Sequence, residues 1–170
     1  MHYKDILEVD LIPFGEIENE EREVRFTKPK AFTLQMPGLS EALPFIEPVQ
    51  ISCFRLNACP LEGIVMLKLI SHDDRPERTH DLTDIDNIID NYFDWNADEI
   101  FGEHNDLFEN YDVHDPKFYQ PMIAAHVIGI RMNRLLARSP ELKRRVVKIL
   151  KGNDNPRWIA MLNAMNNINP

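Results

Sequence analysis

The chain has 170 residues, of which 44% are hydrophobic and 28% are charged. This composition excludes a disordered chain and predicts one sizeable domain, or two small ones, with a real core. No window approaches the roughly 18 uncharged apolar residues of a membrane-spanning helix, and "MHYKDILEVD" lacks the apolar core of a signal peptide. We therefore expect a cytoplasmic protein with no membrane association.

The net charge of −9 argues against a protein devoted wholly to nucleic-acid backbones, but the charge is unevenly spread. From Thr79 to Pro116 there are twelve acidic residues and no Lys or Arg. From Arg131 to Arg157 there are nine Lys or Arg residues and two acidic ones. Two interpretations are open: the two surfaces neutralise each other or are solvated, or the basic one binds RNA or an acidic partner.

Strand and turn signals fill the first third of the chain. Apolar and β-branched residues predict strands at residues 6–14, 22–26, 31–36 and 49–56. A short helix is predicted at 40–45, between two turn-forming prolines, with Ser40 as its cap. The first strand contains Asp10 among apolar neighbours. This carboxylate either faces solvent on an edge strand or is paired, hydrogen-bonded or bound to a metal.

Helical signals dominate from Pro60 onward. Residues 64–70 are apolar nearly all round, which predicts a buried helix, and a second helix at 81–93 places Leu82, Ile85, Ile89 and Phe93 on one face. Further helices are predicted at 97–109, 118–137, 140–150 and 156–167. The fold class is therefore α+β, with possible boundaries at 75–80 or near residue 94.

The two cysteines and the scattered histidines do not predict a metal site. Cys53 and Cys59 form no CxxC or Cys/His cluster, and Cys53 is interpreted as a buried structural residue. His104, His114 and His126 are interpreted as surface histidines or as core histidines with their hydrogen bonds satisfied, rather than as metal ligands. The sequence also contains no P-loop, GxGxxG, GxSxG or HExxH motif.

Lys68 lies inside the apolar run "GIVMLKLI", so its ammonium must reach solvent or meet an anion. Pairing with a carboxylate on the next helix is one interpretation, with Asp81 and Asp84 as candidates. In that case Lys68→Met should cost little, whereas Asp84→Leu, which strands the ammonium, should cost about 3 kcal/mol. Arg75 and Arg78 lie in the intervening turn and could join an ion-pair network at the helix start.

The stretches "LEVDLIPFGEIE", "PGLSEAL" and "PLEGIVMLKLISHDDRPERTHDLTDIDNIIDNYFD" together resemble bacterial predicted nucleotidyltransferases of the abortive-infection toxin type. These belong to the polymerase-beta-like nucleotidyltransferase superfamily. The resemblance covers residues 7–94 and implies the latter part of a nucleotidyltransferase-like domain with a mixed sheet at 1–94. An α-helical C-terminal region would follow at 95–170.

The resemblance also implies a site. Asp10 would be a catalytic metal ligand for Mg²⁺, and Lys68 would be catalytic or would bind the phosphates of an NTP. Arg75, Arg78, Asp81 and Asp84 would form the nucleotide-binding region, although His80 stands where the family has a lysine. Implied partners are a nucleotide, an RNA or protein acceptor and an antitoxin protein.

Two of the three metal carboxylates of the superfamily have no counterpart before Asp10, nor does its Gly-Ser turn. We therefore expect either a truncated chain or a natural remnant. The function is correspondingly open between two hypotheses. One is transfer of a nucleotide from an NTP to an RNA or protein acceptor, and the other is a catalytically inactive module that binds protein or nucleic acid.

Overall fold

Strands occupy the first third of the chain and helices the remainder, in a computed structural model that describes residues 2–3, 7–8, 15–19, 23–29, 31–111 and 114–167. The strands are β1 (His2–Tyr3), β2 (Leu7–Glu8), β3 (Glu23–Phe26), β4 (Phe32–Gln35), β5 (Glu47–Ile51) and β6 (Phe54–Ala58). They pair antiparallel in sequence order, β1 with β2, β3 with β4 and β5 with β6. The α+β class is confirmed, as are the strands predicted at 22–26 and 31–36. Asp10 lies outside the described residues.

The strand predicted at 49–56 is wrong, because the chain reverses within it. β5 and β6 form a hairpin whose turn is Ser52 and Cys53, with Ser52 in the left-handed region at φ 56°. Cys53 is exposed in this turn, so its predicted burial is also wrong. Large apolar side chains remain on the hairpin surface, including Ile51 and Phe54, which are 57% and 66% exposed.

The first helix begins earlier than its predicted cap. Helix α1 (Leu39–Ala42) follows Gly38 and continues as a 3-10 helix (Leu43–Phe45), so Ser40 lies inside α1 and caps nothing. Gly38 has a φ of 105°, which favours glycine. A Cβ there would approach Leu67 Cδ2 to 3.0 Å. The glycine therefore lets the loop before α1 lie directly against the next helix.

Within the described part of the chain, six α-helices follow: α2 (Leu61–Asp74), α3 (Thr79–Trp95), α4 (Ala97–Glu103), α5 (Pro116–Leu135), α6 (Pro140–Lys151) and α7 (Pro156–Met165). The single helix predicted at 97–109 is wrong. The backbone leaves helical geometry at His104 (φ −126°, ψ 25°) and continues as a 3-10 helix (Asn105–Glu109). His104, at this departure, is buried, with 7% of the whole residue exposed. Among the described residues, no helix combines the length and the apolarity needed to cross a membrane.

One hydrophobic core is shared by residues from α2 through α7. Val65, Met66, Leu69 and Ile70 of α2 are at most 3% exposed, which confirms a buried helix at 64–70, although Ile64, Leu67 and Lys68 are only half-buried. On α3, the predicted face of Ile85, Ile89 and Phe93 is buried, and Leu82 packs at its edge. Gly129 lets α5 and α7 approach closely, because a Cβ there would lie 2.8 Å from Ala164 Cβ.

Candidate functional site

Lys68 joins α2 to α3 through two carboxylates. Its Nζ lies 3.2 Å from Asp81 Oδ1 and 2.5 Å from Asp84 Oδ2. The Asp81 side chain is only 6% exposed, whereas those of Lys68 and Asp84 are 25% and 48% exposed. The predicted pairing of Lys68 with the next helix is therefore confirmed. Asp81 and Asp84 reach the same ammonium because positions i and i+3 are neighbours on a helix surface.

The charged forms of Lys68 and Asp81 stabilise each other. Burial lowers the pKa of Lys68, but hydrogen bonds from Lys68 to Asp84 and Asp81 outweigh this effect and raise the pKa above its ordinary value. Burial raises the pKa of Asp81, but interactions with Ser71, Lys68 and Arg78 outweigh it and hold the pKa below its ordinary value. Lys68 is thus kept protonated and is neutralised by its partners.

Arg75 and Arg78 lie beside this group, in the turn between α2 and α3. Arg78 Nε is 3.6 Å from Asp81 Oδ2, and the backbone N–H of Arg78 donates to the carbonyl of Arg75 at 3.0 Å. Both arginines line a cavity of about 80 Å³ against Met36 and Pro37. Ordinary ligand pockets measure about 300–1,000 Å³.

The structure thus brings Lys68, Arg78, Asp81 and Asp84 together, with Arg75 on the neighbouring cavity. The described residues around Lys68 do not offer ligands to a Mg²⁺-bound nucleotide, because both carboxylates are engaged with Lys68 and the adjoining cavity is small. Asp10, the predicted metal ligand, lies outside the described residues. The roles of these residues in nucleotide binding stay predictions.

A second ion-pair network, which the sequence did not indicate, centres on Arg131 of α5. Its Nη2 donates to Glu99 Oε2 of α4, and its Nη1 lies 3.6 Å from Glu62 Oε2 of α2. The guanidinium carbon also stands 5.7 Å from the centre of the Tyr92 ring on α3, within cation–π range. Burial, together with the charge of Glu62, raises the pKa of Tyr92. Four helices are thereby tied at one point by groups far apart in the sequence.

Two grooves lined by residues of α6 are larger than the cavity beside Arg75 and Arg78. One of about 400 Å³ lies at the N-terminal end of α6, beside Arg138, Ser139 and Arg145. Another of about 580 Å³ is lined by Pro140, Lys143, Arg144, Val147, Lys148, Lys151 and Asn166. We call this second one the α6 groove. Arg144, Lys148 and Lys151 share one helix face because they recur at intervals of four and three residues, and Lys143 lies at the edge of that face beside Arg144.

The cations of the α6 groove are almost free of protein partners. Within the described part of the chain, Lys143, Lys148 and Lys151 form no ion pair, and Arg144 has only Glu141 at 3.5 Å. The side chains of Arg144 and Glu141 are 76% and 90% exposed, so this ion pair contributes little to stability. The predicted neutralisation by acidic helices applies instead to Arg157, which pairs with Asp86 and Asp90 of α3 at 3.1 and 2.6 Å.

One group among the described residues has donors that could hold a metal ion: Glu99, Glu103 and His104, at the end of α4. The sequence interpretation assigned His104 to the surface or to a satisfied core position; the residue is buried, but among the described residues its Nε2 has no hydrogen-bond partner. The signal that was missed is the spacing of Glu99 and Glu103, which places two carboxylates one helical turn apart and next to a histidine.

Comparisons with protein-family models, with curated proteins and with solved structures found no match to this chain.

Proposed function

We propose that this chain is a nucleotidyltransferase-like protein whose described part binds RNA, through the α6 groove, rather than transferring nucleotides. The observation that carries this proposal is the contrast between two sets of cations. Lys68 is satisfied by Asp81 and Asp84, whereas the cations of the α6 groove face solvent without strong partners.

The chemistry of the α6 groove suits a phosphate backbone. Lysine ammonium groups bind phosphate as point charges, and their spacing along α6 provides a row of them beside an open channel. Among the described residues, no aromatic side chain lines the α6 groove, so they offer no base stacking there. We therefore expect binding that follows the backbone and depends little on base sequence.

RNA is favoured over an acidic protein because the α6 groove is open and four of its seven lining residues are cations, whereas two, Pro140 and Val147, are apolar. Protein interfaces bury an apolar centre, whereas binding of nucleic-acid backbones rests on cations. The nucleotidyltransferase resemblance implies an RNA or a protein acceptor, and RNA is the one that the cations of the α6 groove suit. We propose the cytoplasm as the compartment where the chain meets it.

The test is fluorescence anisotropy with a labelled single-stranded RNA of about 20 nucleotides, a length that exceeds common site sizes. We expect a Kd of roughly 1–100 µM at physiological salt. If all four cations contact phosphates, log K should fall with log salt at a slope of about −3. The double variant Lys143→Gln/Lys148→Gln should reduce the slope to about −1.5, since two contacts are lost.

Lys117→Gln is the matched control, because Lys117 is an exposed lysine at the start of α5 and outside the α6 groove. It should leave the affinity close to that of the parent. Absence of RNA binding, or equal loss in the control and the double variant, would overturn the proposal. Binding of an acidic peptide in place of RNA would reassign the α6 groove to a protein partner.

The catalytic hypothesis is tested on the same preparation. The protein is incubated with Mg²⁺, the RNA and each labelled NTP. Label incorporated by the parent and lost in Asp10→Ala would replace the binding proposal with nucleotide transfer.

A further inference from the structure

Glu99, Glu103 and His104, which we call the α4 cluster, converge where α4 ends. Glu99 and Glu103 are one turn apart on α4, and His104 is the residue at which the helix stops. One donor atom from each lies within 4.8 Å of the other two, and His104 Nε2 is 3.8 Å from Glu99 Oε1. The break at His104 therefore places an imidazole nitrogen beside two carboxylates.

His104 supplies a second, independent observation. Its side chain is 9% exposed, and among the described residues its buried Nε2 has no hydrogen-bond partner. A buried nitrogen left without a partner is unfavourable, and such atoms are rare in native proteins. Because Nε2 points toward Glu99 Oε1, a ligand that accepts its lone pair would remove this cost.

We propose that the α4 cluster binds one divalent transition-metal ion, with Zn²⁺ as the best fit, through His104 Nε2 and one oxygen each from Glu99 and Glu103. Zinc accepts imidazole nitrogen together with carboxylate oxygen, whereas Mg²⁺ and Ca²⁺ prefer oxygen alone. Three protein ligands leave one coordination position for water or another ligand. The two carboxylates balance the charge of the ion.

The surroundings support the ligand geometry. Arg131 holds Oε2 of Glu99, which leaves Oε1 directed at His104 and fixes the orientation of the carboxylate. Ligands of a tetrahedral zinc ion stand about 3.4 Å apart, as follows from metal–ligand distances of about 2.0–2.1 Å. Glu103 is exposed, so its side chain is free to rotate and close the present spacing. Metal binding would therefore require no movement of the core.

The test is titration of the tag-free full chain with Zn²⁺ by isothermal calorimetry, with the stoichiometry read by native mass spectrometry. We expect one ion for each chain. Glu103→Gln and His104→Gln should each weaken binding by at least about tenfold, since each loses one ligand. The Co²⁺-loaded parent should show visible d–d absorption that both variants lose.

Glu109→Gln is the matched control, because Glu109 is an exposed glutamate on the following 3-10 helix and outside the α4 cluster. It should bind Zn²⁺ as the parent does. If His104→Gln fails to fold, the comparison of Glu103→Gln with Glu109→Gln still decides, because both positions are exposed. No stoichiometric binding, or equal affinity in Glu103→Gln and the parent, would overturn the proposal.

Discussion

Replacing Lys68 by methionine should destabilise the fold more than replacing Asp84 by leucine, which reverses the order expected from the sequence. That expectation assumed that leaving the Lys68 ammonium without a partner would cost the most stability. In the structure the most buried member of the group is Asp81, which is 6% exposed, while Asp84 is 48% exposed. Lys68→Met leaves the buried Asp81 carboxylate without its ammonium partner, whereas Asp84→Leu leaves Lys68 still paired with Asp81.

The magnitude follows from this difference in burial. Removing one partner of a fully buried ion pair costs about 3–5 kcal/mol. Lys68 retains 25% exposure and Arg78 remains 3.6 Å from Asp81, so we expect Lys68→Met to cost about 2 kcal/mol. Asp84→Leu removes a half-exposed partner and should cost no more than about 1 kcal/mol.

Urea unfolding at pH 7, followed by circular dichroism, measures both values. The double variant Lys68→Met/Asp81→Leu should regain part of the loss, with a coupling free energy of about 1–2 kcal/mol, because no buried charge is then left unpaired. Lys117→Met is the control for removing an exposed lysine. The reasoning is refuted if Lys68→Met unfolds at the parent's urea midpoint while Asp84→Leu loses about 2 kcal/mol.

Two further predictions concern Asp81 and Gly129. Asp81→Asn should lower the free energy of unfolding at pH 6 and far less at pH 2. The folded pKa of Asp81 lies below its ordinary 3.8, so its contribution is present above that value and is lost as pH falls through the folded pKa. Urea midpoints at the two pH values measure this, with the exposed Asp94→Asn as control, and equal losses at both would contradict it. Gly129→Ala should cost at least about 1–3 kcal/mol, because its Cβ would meet the backbone carbonyl oxygen of Met161 and lie 2.8 Å from Ala164 Cβ. Gly102→Ala is the control: its Cβ would meet nothing within 4 Å, so this variant should raise the melting temperature. A Gly129→Ala protein that melts like the parent would contradict the close approach of α5 to α7.

Apolar runs and helical spacing in the sequence correctly predicted the buried helix α2 and the partners of Lys68. The run at 64–70, apolar except for Lys68, forms part of the buried helix α2. A helix that is apolar nearly all round is stable only when most of its surface is removed from water. Asp81 and Asp84 could be predicted as partners of Lys68 because their spacing puts both on one side of a helix. The turn in the β5–β6 hairpin was missed because Ser52 adopts a left-handed conformation without the usual glycine or asparagine.

The groups that were missed depend on tertiary contacts. Arg131 and Glu99 are 32 residues apart, and no periodicity links them, so only the packing of α4 against α5 shows that they pair. The break at His104 was also missed, because it carries no proline or glycine at the break itself. The α4 cluster follows from that break and was hidden for the same reason.

The distribution of ion pairs divides the cations of the basic segment into two sets. Three arginines, Arg131, Arg145 and Arg157, each contact two carboxylates on other helices. A planar guanidinium can serve two acceptors at once, whereas a lysine ammonium is more strongly hydrated and is less readily held in one geometry. Arginine therefore pairs with Glu99, Asp86 and Asp90 of the acidic segment, whereas Lys143, Lys148 and Lys151 of α6 have no ion-pair partner among the described residues. If RNA binds as proposed, its phosphates would replace water around these lysines and would displace none of the ion pairs that the described residues form.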